Sequence, residues 1–140
     1  MKTVWTNGCF DLIHEGHIRL LNFARLQGER LVVGVNSDGM IKKMKGNNRP
    51  IYDESHRTLI LENLKSVDEV ILFHSQAMLE DIIKQYKPSC IVVGNDYKHR
   101  EVVGSQHCEK VIFFERMSDI STSNTIKKIR EGGSSVNFNA

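Results

Sequence analysis

The run from Thr6 to His17, Thr-Asn-Gly-Cys-Phe-Asp-Leu-Ile-His-Glu-Gly-His, concentrates residue types that handle phosphate. His14 and His17 stand three apart, so on a helix they share one face. Gly16 places no side chain between them, and Gly8 permits a turn or a close backbone approach to a ligand. Before the run sits the β-prone Lys2-Thr3-Val4-Trp5. After it Ile18, Leu20, Leu21, Ala24 and Leu26 recur with helical spacing. The run is therefore read as a strand-to-helix junction. A helix start offers free amides and the positive end of a dipole, and two imidazoles added there make a site for a polyanion. One histidine at such a place is commonly a cap or a solvent-facing residue. Two on one face, behind a glycine turn and beside Asp11, point to phosphate.

Elements that could position this run alternate along the chain. Strands are expected at Lys2–Thr6, Arg30–Asn36, Val67–Phe73, Cys90–Val93 and Val111–Phe114. Helices are expected at Gly16–Gln27 with Gly28 as C-cap, at Asp53–Leu64, from a Ser75 cap to Tyr86, and at Ser121–Arg130. Leu31-Val32-Val33-Gly34-Val35 is nearly continuous and apolar, as a strand buried on both faces reads. Met40 to Pro50 is basic and broken by Gly46 and Pro50, and is read as a mobile loop with a short helical start. Lys98 to Cys108 is polar, with room for one short helix. Residues 131–140 read as a flexible C-terminal tail behind a single domain over 1–130. This alternation predicts an α/β fold: a Rossmann-like, doubly wound parallel sheet of five strands. Ligands of such sheets bind beyond the carboxyl ends of the strands, where the polar connections gather.

Composition excludes several classes. A chain of 140 residues can bury a core without staples. Its net charge of +2 is too small to argue for nucleic acid or an anionic membrane as partner. No apolar run approaches the length of a membrane span. No signal peptide is read, and Cys9, Cys90 and Cys108 form no disulfide pattern, so a reducing, cytoplasmic setting is expected. Cys9 with His14 and His17 does not follow zinc-ligand spacing, and no protein-held metal is expected. There is no Gly-x-Gly-x-x-Gly, no Gly-x-x-x-x-Gly-Lys-Ser/Thr and no Gly-x-Ser-x-Gly, which disfavours a dehydrogenase, a P-loop kinase and a serine hydrolase.

Gly8 to His17, with its His14-Glu15-Gly16-His17 core, resembles the signature of the cytidylyltransferase-like nucleotidyltransferases. Arg116-Met117-Ser118-Asp119-Ile120-Ser121-Thr122-Ser123 resembles that family's second signature, an arginine followed by Ile-Ser-Thr-Ser/Thr. The resemblance runs from Thr3 to about Ile129. Within the family it is most similar to the heptose 1-phosphate adenylyltransferase domain, through Val35-Asn36-Ser37-Asp38, Lys45-Gly46 with Arg49-Pro50, and Asp96-Tyr97. It is similar at lower detail to glycerol-3-phosphate cytidylyltransferase. Asn95 departs from the glycine or aspartate of relatives, which bears on substrate choice.

The resemblance implies transfer of a nucleoside monophosphate from a nucleoside triphosphate to a small phosphorylated acceptor, with pyrophosphate released. It implies catalytic roles for His14, His17, Lys42 and Arg116. Nucleotide contacts are implied for Gly8, Cys9, Phe10, Asp11, Gly16, Lys45, Gly94, Asp96 and the helix start Ser121-Thr122-Ser123, and acceptor contacts for Lys42, Lys45 and Arg57. Asp11 would orient a histidine or approach a metal. Magnesium is expected with the triphosphate, held by phosphate oxygens and water, and a homodimer is expected. Read without the resemblance, Lys42 and Lys45 are a solvated face, Ser121 an ordinary cap and Arg57 a surface residue. Two rivals of other classes are a non-catalytic nucleotide-binding module and a metal-dependent hydrolase using His14, His17 and Asp11.

Overall fold

A computed structural model describes residues 1–94, 101–115 and 121–133. Five strands form one sheet: β1 (Thr3–Gly8), β2 (Arg30–Asn36), β3 (Glu69–Phe73), β4 (Cys90–Gly94) and β5 (Lys110–Phe114). All neighbours are parallel and the order is β3-β2-β1-β4-β5. Among the described residues four helices connect them, α1 (Glu15–Arg25), α2 (Asp38–Lys45), α3 (Glu54–Glu62) and α4 (Gln76–Tyr86), and α5 (Thr122–Gly133) follows β5. The expected doubly wound α/β sheet is what forms.

Alternation along the strands divides the core between the two faces. Val4, Leu31, Val33, Val35, Cys90 and Val92 meet Leu21 and Ala24 of α1 and Leu61 of α3. Trp5, Val32, Phe73 and Ile91 meet Leu79 and Ile83 of α4. The glycine in β2 has a packing reason: a Cβ on Gly34 would stand 2.5 Å from Cζ2 of the fully buried Trp5 ring.

The strand order reverses between β1 and β4, the place where such sheets open a crevice. Their ladder pairs Val4 with Cys90 and Trp5 with Ile91. Thr6 then bridges to β4 by side chain, its Oγ1 donating to the Val92 carbonyl at 2.7 Å. Past that point β1 runs into the His-containing junction. Gly94 ends β4, and among the described residues nothing stands within 4 Å of where its Cβ would be.

Several boundaries differ from the sequence expectation: β1 runs on to Gly8, β3 starts only at Glu69 and α3 stops at Glu62. The Met40–Pro50 stretch is helical as far as Lys45: Ser37 caps α2, its Oγ accepting from the Met40 amide at 3.3 Å, and Gly46 at φ 97° stops it. Only Ile41 of α2 is buried, so no apolar period marks it. Gly28 is not a C-cap. α1 ends at Arg25 with right-handed Leu26 as its cap, and Gly28 lies where a Cβ would meet the Lys2 carbonyl oxygen at 2.8 Å. α5 continues to Gly133, three residues into the stretch read as a tail; residues 134–140 lie outside the described residues. Of the polar segment read from Lys98 to Cys108, residues 98–100 lie outside the described residues, and a 3-10 turn stands at Ser105–His107.

Candidate active site

The junction after β1 is wound tightly by two residues in the left-handed region, Phe10 at φ 52° and Leu12 at φ 48°. Non-glycine residues rarely hold that conformation, and two such residues around Asp11 mark a locally strained segment. Phe10 is turned inward, 4% exposed, with its ring centroid 5.5 Å from that of His17. A Cβ on Gly8 would touch that ring at 3.3 Å. Phe10 thus belongs to the core beneath the junction.

His14 and His17 do more than share a face. His14 is the N-cap of α1, and its Nδ1 accepts from the Gly16 amide at 3.0 Å. Nδ1 of His17, at the third helical position, accepts from the His14 amide at 3.1 Å. This is a capping box built from imidazoles where serine and glutamate are usual. Each Nδ1 presents its lone pair to a backbone N–H, so in the neutral ring the proton sits on Nε2. The ring centroids are 3.9 Å apart. Glu15 adds an acidic residue to the first turn and bonds Arg19, on the helix exterior.

Asp11 organises the other side. It is 2% exposed. Its Oδ2 accepts from the Ile51 amide at 2.7 Å and its Oδ1 from the Tyr52 amide at 3.0 Å. Its main-chain carbonyl accepts from Thr122 Oγ1 at 2.5 Å. One residue therefore fixes the His junction, the 46–53 loop and the start of α5 together. Both carboxylate oxygens are occupied by amides, so the expectation that Asp11 orients a histidine or approaches a metal finds no support in its contacts.

α5 begins under the cap of Ser121, whose Oγ accepts from the Asn124 amide at 3.0 Å. Thr122 is buried against Asp11 and Ser123 is exposed. Ser123 Oγ is 3.4 Å from Nη1 of Arg49. That arginine also lies 3.7 Å from Asp11 through Nε. Arg116 and Asp96 lie outside the described residues.

Arg57 is placed otherwise than expected. It is fully buried, and its guanidinium donates to the carbonyls of Tyr52 at 3.0 Å, Cys9 at 2.8 Å and Asn36 at 2.8 Å, and to Asp38 Oδ1 at 2.7 Å. Its charge is thus committed inside the protein, which corrects the assignment of Arg57 to an acceptor phosphate. It holds the junction, the end of β2, the start of α2 and the 46–53 loop in one arrangement. Lys42 and Lys45 project from α2, one helical turn apart and exposed. Lys45 acts on the Cys9 thiol: burial pushes that thiol's pKa up, while the charges of Lys45, Arg57 and Arg49 pull it down.

Sequence reasoning leaves out Arg49 as a site residue and misses the anchoring role of Thr122. The only local signal for Arg49 is a cation beside Pro50, because its burial depends on segments distant in sequence. Among the described residues no three His, Cys, Asp or Glu side chains gather into a metal-binding group. Among them, too, no helix is long and apolar enough to cross a membrane.

Comparison with known proteins agrees with this geometry. The cytidylyltransferase-like family model matches residues 5–128. The bifunctional protein HldE of Aliarcobacter butzleri is 42% identical over 130 residues, 93% of this chain, and HldE of Helicobacter pylori strain HPAG1 is 44% identical over 129 residues, 92% of this chain. The chain spans 27% and 28% of the length of those two relatives. The solved structure of the lipopolysaccharide core biosynthesis protein from Thermoplasma volcanium is 31% identical, with a TM-score of 0.72 over 84% of this chain and 99% of that one. Pantothenate synthetase from Thermus thermophilus, at 14% identity and a TM-score of 0.57, shares the fold. With its imidazole capping box at the switch point of a five-stranded parallel sheet and a family match over nearly its whole length, the chain belongs to the cytidylyltransferase-like family of nucleotidyltransferases.

Proposed function

We propose that this domain transfers an adenylyl group from ATP to a heptose 1-phosphate, giving ADP-heptose and pyrophosphate. The observation that carries the chemistry is the pair of Nδ1 acceptors on His14 and His17. Backbone amides hold both rings in the tautomer that offers Nε2–H as a donor, at a helix start beyond the sheet's carboxyl edge. The heptose acceptor is supported by the motif resemblance, by the HldE relatives and by the likeness to the lipopolysaccharide core biosynthesis protein of Thermoplasma volcanium.

In this reading an acceptor phosphate oxygen attacks the α-phosphorus and the pyrophosphate departs. The nucleophile is already an anion, so no protein nucleophile is needed. The protein aligns two repelling anions and neutralises charge that develops at the α- and β-phosphates. His14 and His17 donate to those oxygens. Lys42 and Lys45 bring point charges from α2, and the first turn of α5 offers its amides to the outer phosphates. Arg116 and Asp96 keep the phosphate-binding and nucleotide roles that the resemblance assigns. Magnesium bound to the triphosphate offsets its charge. On the family resemblance, phosphate oxygens and water would hold it. We place the reaction in the cytoplasm on the odd, widely spaced cysteines, and the working unit as a homodimer on the family resemblance.

The test is pyrophosphate release with ATP, CTP and GTP, each crossed against heptose 1-phosphate, glycerol 3-phosphate and FMN. Release with ATP and heptose 1-phosphate supports the proposal; CTP with glycerol 3-phosphate replaces it by the cytidylyltransferase reading. Nucleotide binding without release for any pair supports a non-catalytic module. His17→Asn keeps an acceptor near the Nδ1 position and loses the Nε2 donor. It is expected to lower the rate about 100- to 1000-fold with the fold intact.

A further inference from the structure

The guanidinium of Arg49 is packed against Asp11 and the start of α5, and it is poorly matched there. Only 12% of the side chain is exposed. Among the described residues, Nε and Nη2 are enclosed and have no hydrogen-bond partner. Nη1 reaches Ser123 Oγ at a long 3.4 Å. Asp11 is the neighbouring anion, yet Oδ2 is 3.7 Å from Nε, beyond hydrogen-bond reach, and already accepts from the Ile51 amide. A buried cation with two enclosed donors unmatched is costly, and native proteins seldom leave such groups without a purpose.

The surroundings say what acceptor is missing. Ser123 lies in the first turn of α5, a 12-residue helix whose opening amides favour an anion. Lys45, Arg57 and Arg49 all bear on the Cys9 thiol, with Asp11 as the opposing charge. Arg57 is matched by its own four acceptors, so Arg49 and Lys45 hold the positive charge left over. A planar fork of donors beside helix amides suits a tetrahedral group with several charged oxygens. The 46–53 loop is pinned to Asp11 by the amides of Ile51 and Tyr52. Arg49 precedes that anchor by two residues, so its side chain can turn toward the α5 amides without unseating the loop.

We propose that Arg49 is a ligand for the outer phosphates of the nucleoside triphosphate, held against Asp11 and Ser123 until those oxygens arrive. The identity of the anion rests on the nucleotidyl-transfer reading above; the need for an acceptor rests on the unmatched guanidinium alone. Arg49 thereby links occupation of the phosphate site to the position of the loop that follows Lys45.

The experiment measures Kd for ATP, AMP and inorganic tripolyphosphate by calorimetry on wild type, Arg49→Met, Arg49→Gln and Arg49→Lys. Thermal melts of each are recorded alongside. The expected result is that Arg49→Met weakens ATP and tripolyphosphate about 10- to 100-fold. AMP, which lacks the outer phosphates, should change less than about twofold, and Arg49→Lys should recover part of the loss. Arg49→Gln, which keeps polarity and bulk without the charge, should follow Arg49→Met and stands in for it should that variant not fold. Equal weakening of AMP and ATP, or unchanged affinity for all three, would overturn the proposal. Tight tripolyphosphate binding by a wild-type protein that releases no pyrophosphate would defeat the enzymatic reading and leave this one standing.

Discussion

Replacing Arg57 by methionine separates a positioning residue from a substrate ligand. The side chain is fully buried and makes four hydrogen bonds, three to main-chain carbonyls and one to Asp38. Breaking one side of a buried charged pair costs about 3–5 kcal/mol, because the remaining partners lose their donors. The carbonyls of Cys9, Asn36 and Tyr52 lose the Arg57 donor inside the protein, whereas Asp38, with a side chain 27% exposed, regains water. A loss of about 4 kcal/mol is therefore expected. Against a typical stability of about 5–15 kcal/mol that is a large fraction. For a chain of this length it corresponds to a fall in Tm of about 10–15 °C. Arg57→Lys keeps the charge and one pole, so its loss should be smaller. The assay is a circular-dichroism melt of all three proteins, with KM for ATP and for the sugar phosphate measured well below the lowest Tm. The expected kinetic effect is a fall in kcat, because the Cys9 carbonyl anchors the loop that carries His14. A Tm within about 3 °C of wild type together with a raised KM for the sugar phosphate alone would refute the argument. It would return Arg57 to the acceptor site.

Three other substitutions and a labelling rate test further contacts. Asp11→Asn offers one acceptor where two amides need them; it should lower kcat and leave the magnesium dependence of the rate unchanged, and a shifted magnesium dependence would make Asp11 a metal ligand. Gly34→Ala places a methyl 2.5 Å from the Trp5 ring, which should cost about 1–3 kcal/mol and show as a lower Tm with unchanged KM. Burial raises the Cys9 pKa above the usual thiol value, so alkylation by iodoacetamide should be slow at neutral pH and accelerate on the alkaline side of that value. Lys45→Gln removes a charge that lowers this pKa and should slow labelling further, as followed by mass spectrometry.

The strands are the most legible part of the fold. Arg30–Asn36 can be read to the residue because a strand covered on both faces leaves an unbroken apolar run. α2 is legible only as a short helical start, for the opposite reason: eight residues with Ile41 as the buried one carry no period, and its Ser37 cap lies inside Asn36-Ser37-Asp38-Gly39, which reads as a turn. The site is legible where chemistry is local. The spacing of His14 and His17 with Gly16 announces two imidazoles at one helix start, although not the hydrogen bonds that set both tautomers. Arg57 is opaque because its partners are carbonyls of three separate segments, and no side-chain pattern marks a carbonyl acceptor. Asp11 is visible in the sequence as an acid beside histidines. Its real partners, the amides of Ile51 and Tyr52, stand 40 and 41 residues away.

The central claim is that the protein joins a nucleotide to a phosphorylated sugar at the His14–His17 helix start. Phosphorus NMR of ATP, magnesium and heptose 1-phosphate with the enzyme follows bond making and breaking together. The account predicts coupled diphosphate-ester signals of a nucleotide sugar growing in equal amount with free pyrophosphate, and neither in His14→Ala. Free pyrophosphate or phosphate accumulating with the sugar phosphate untouched would show hydrolysis instead and contradict it.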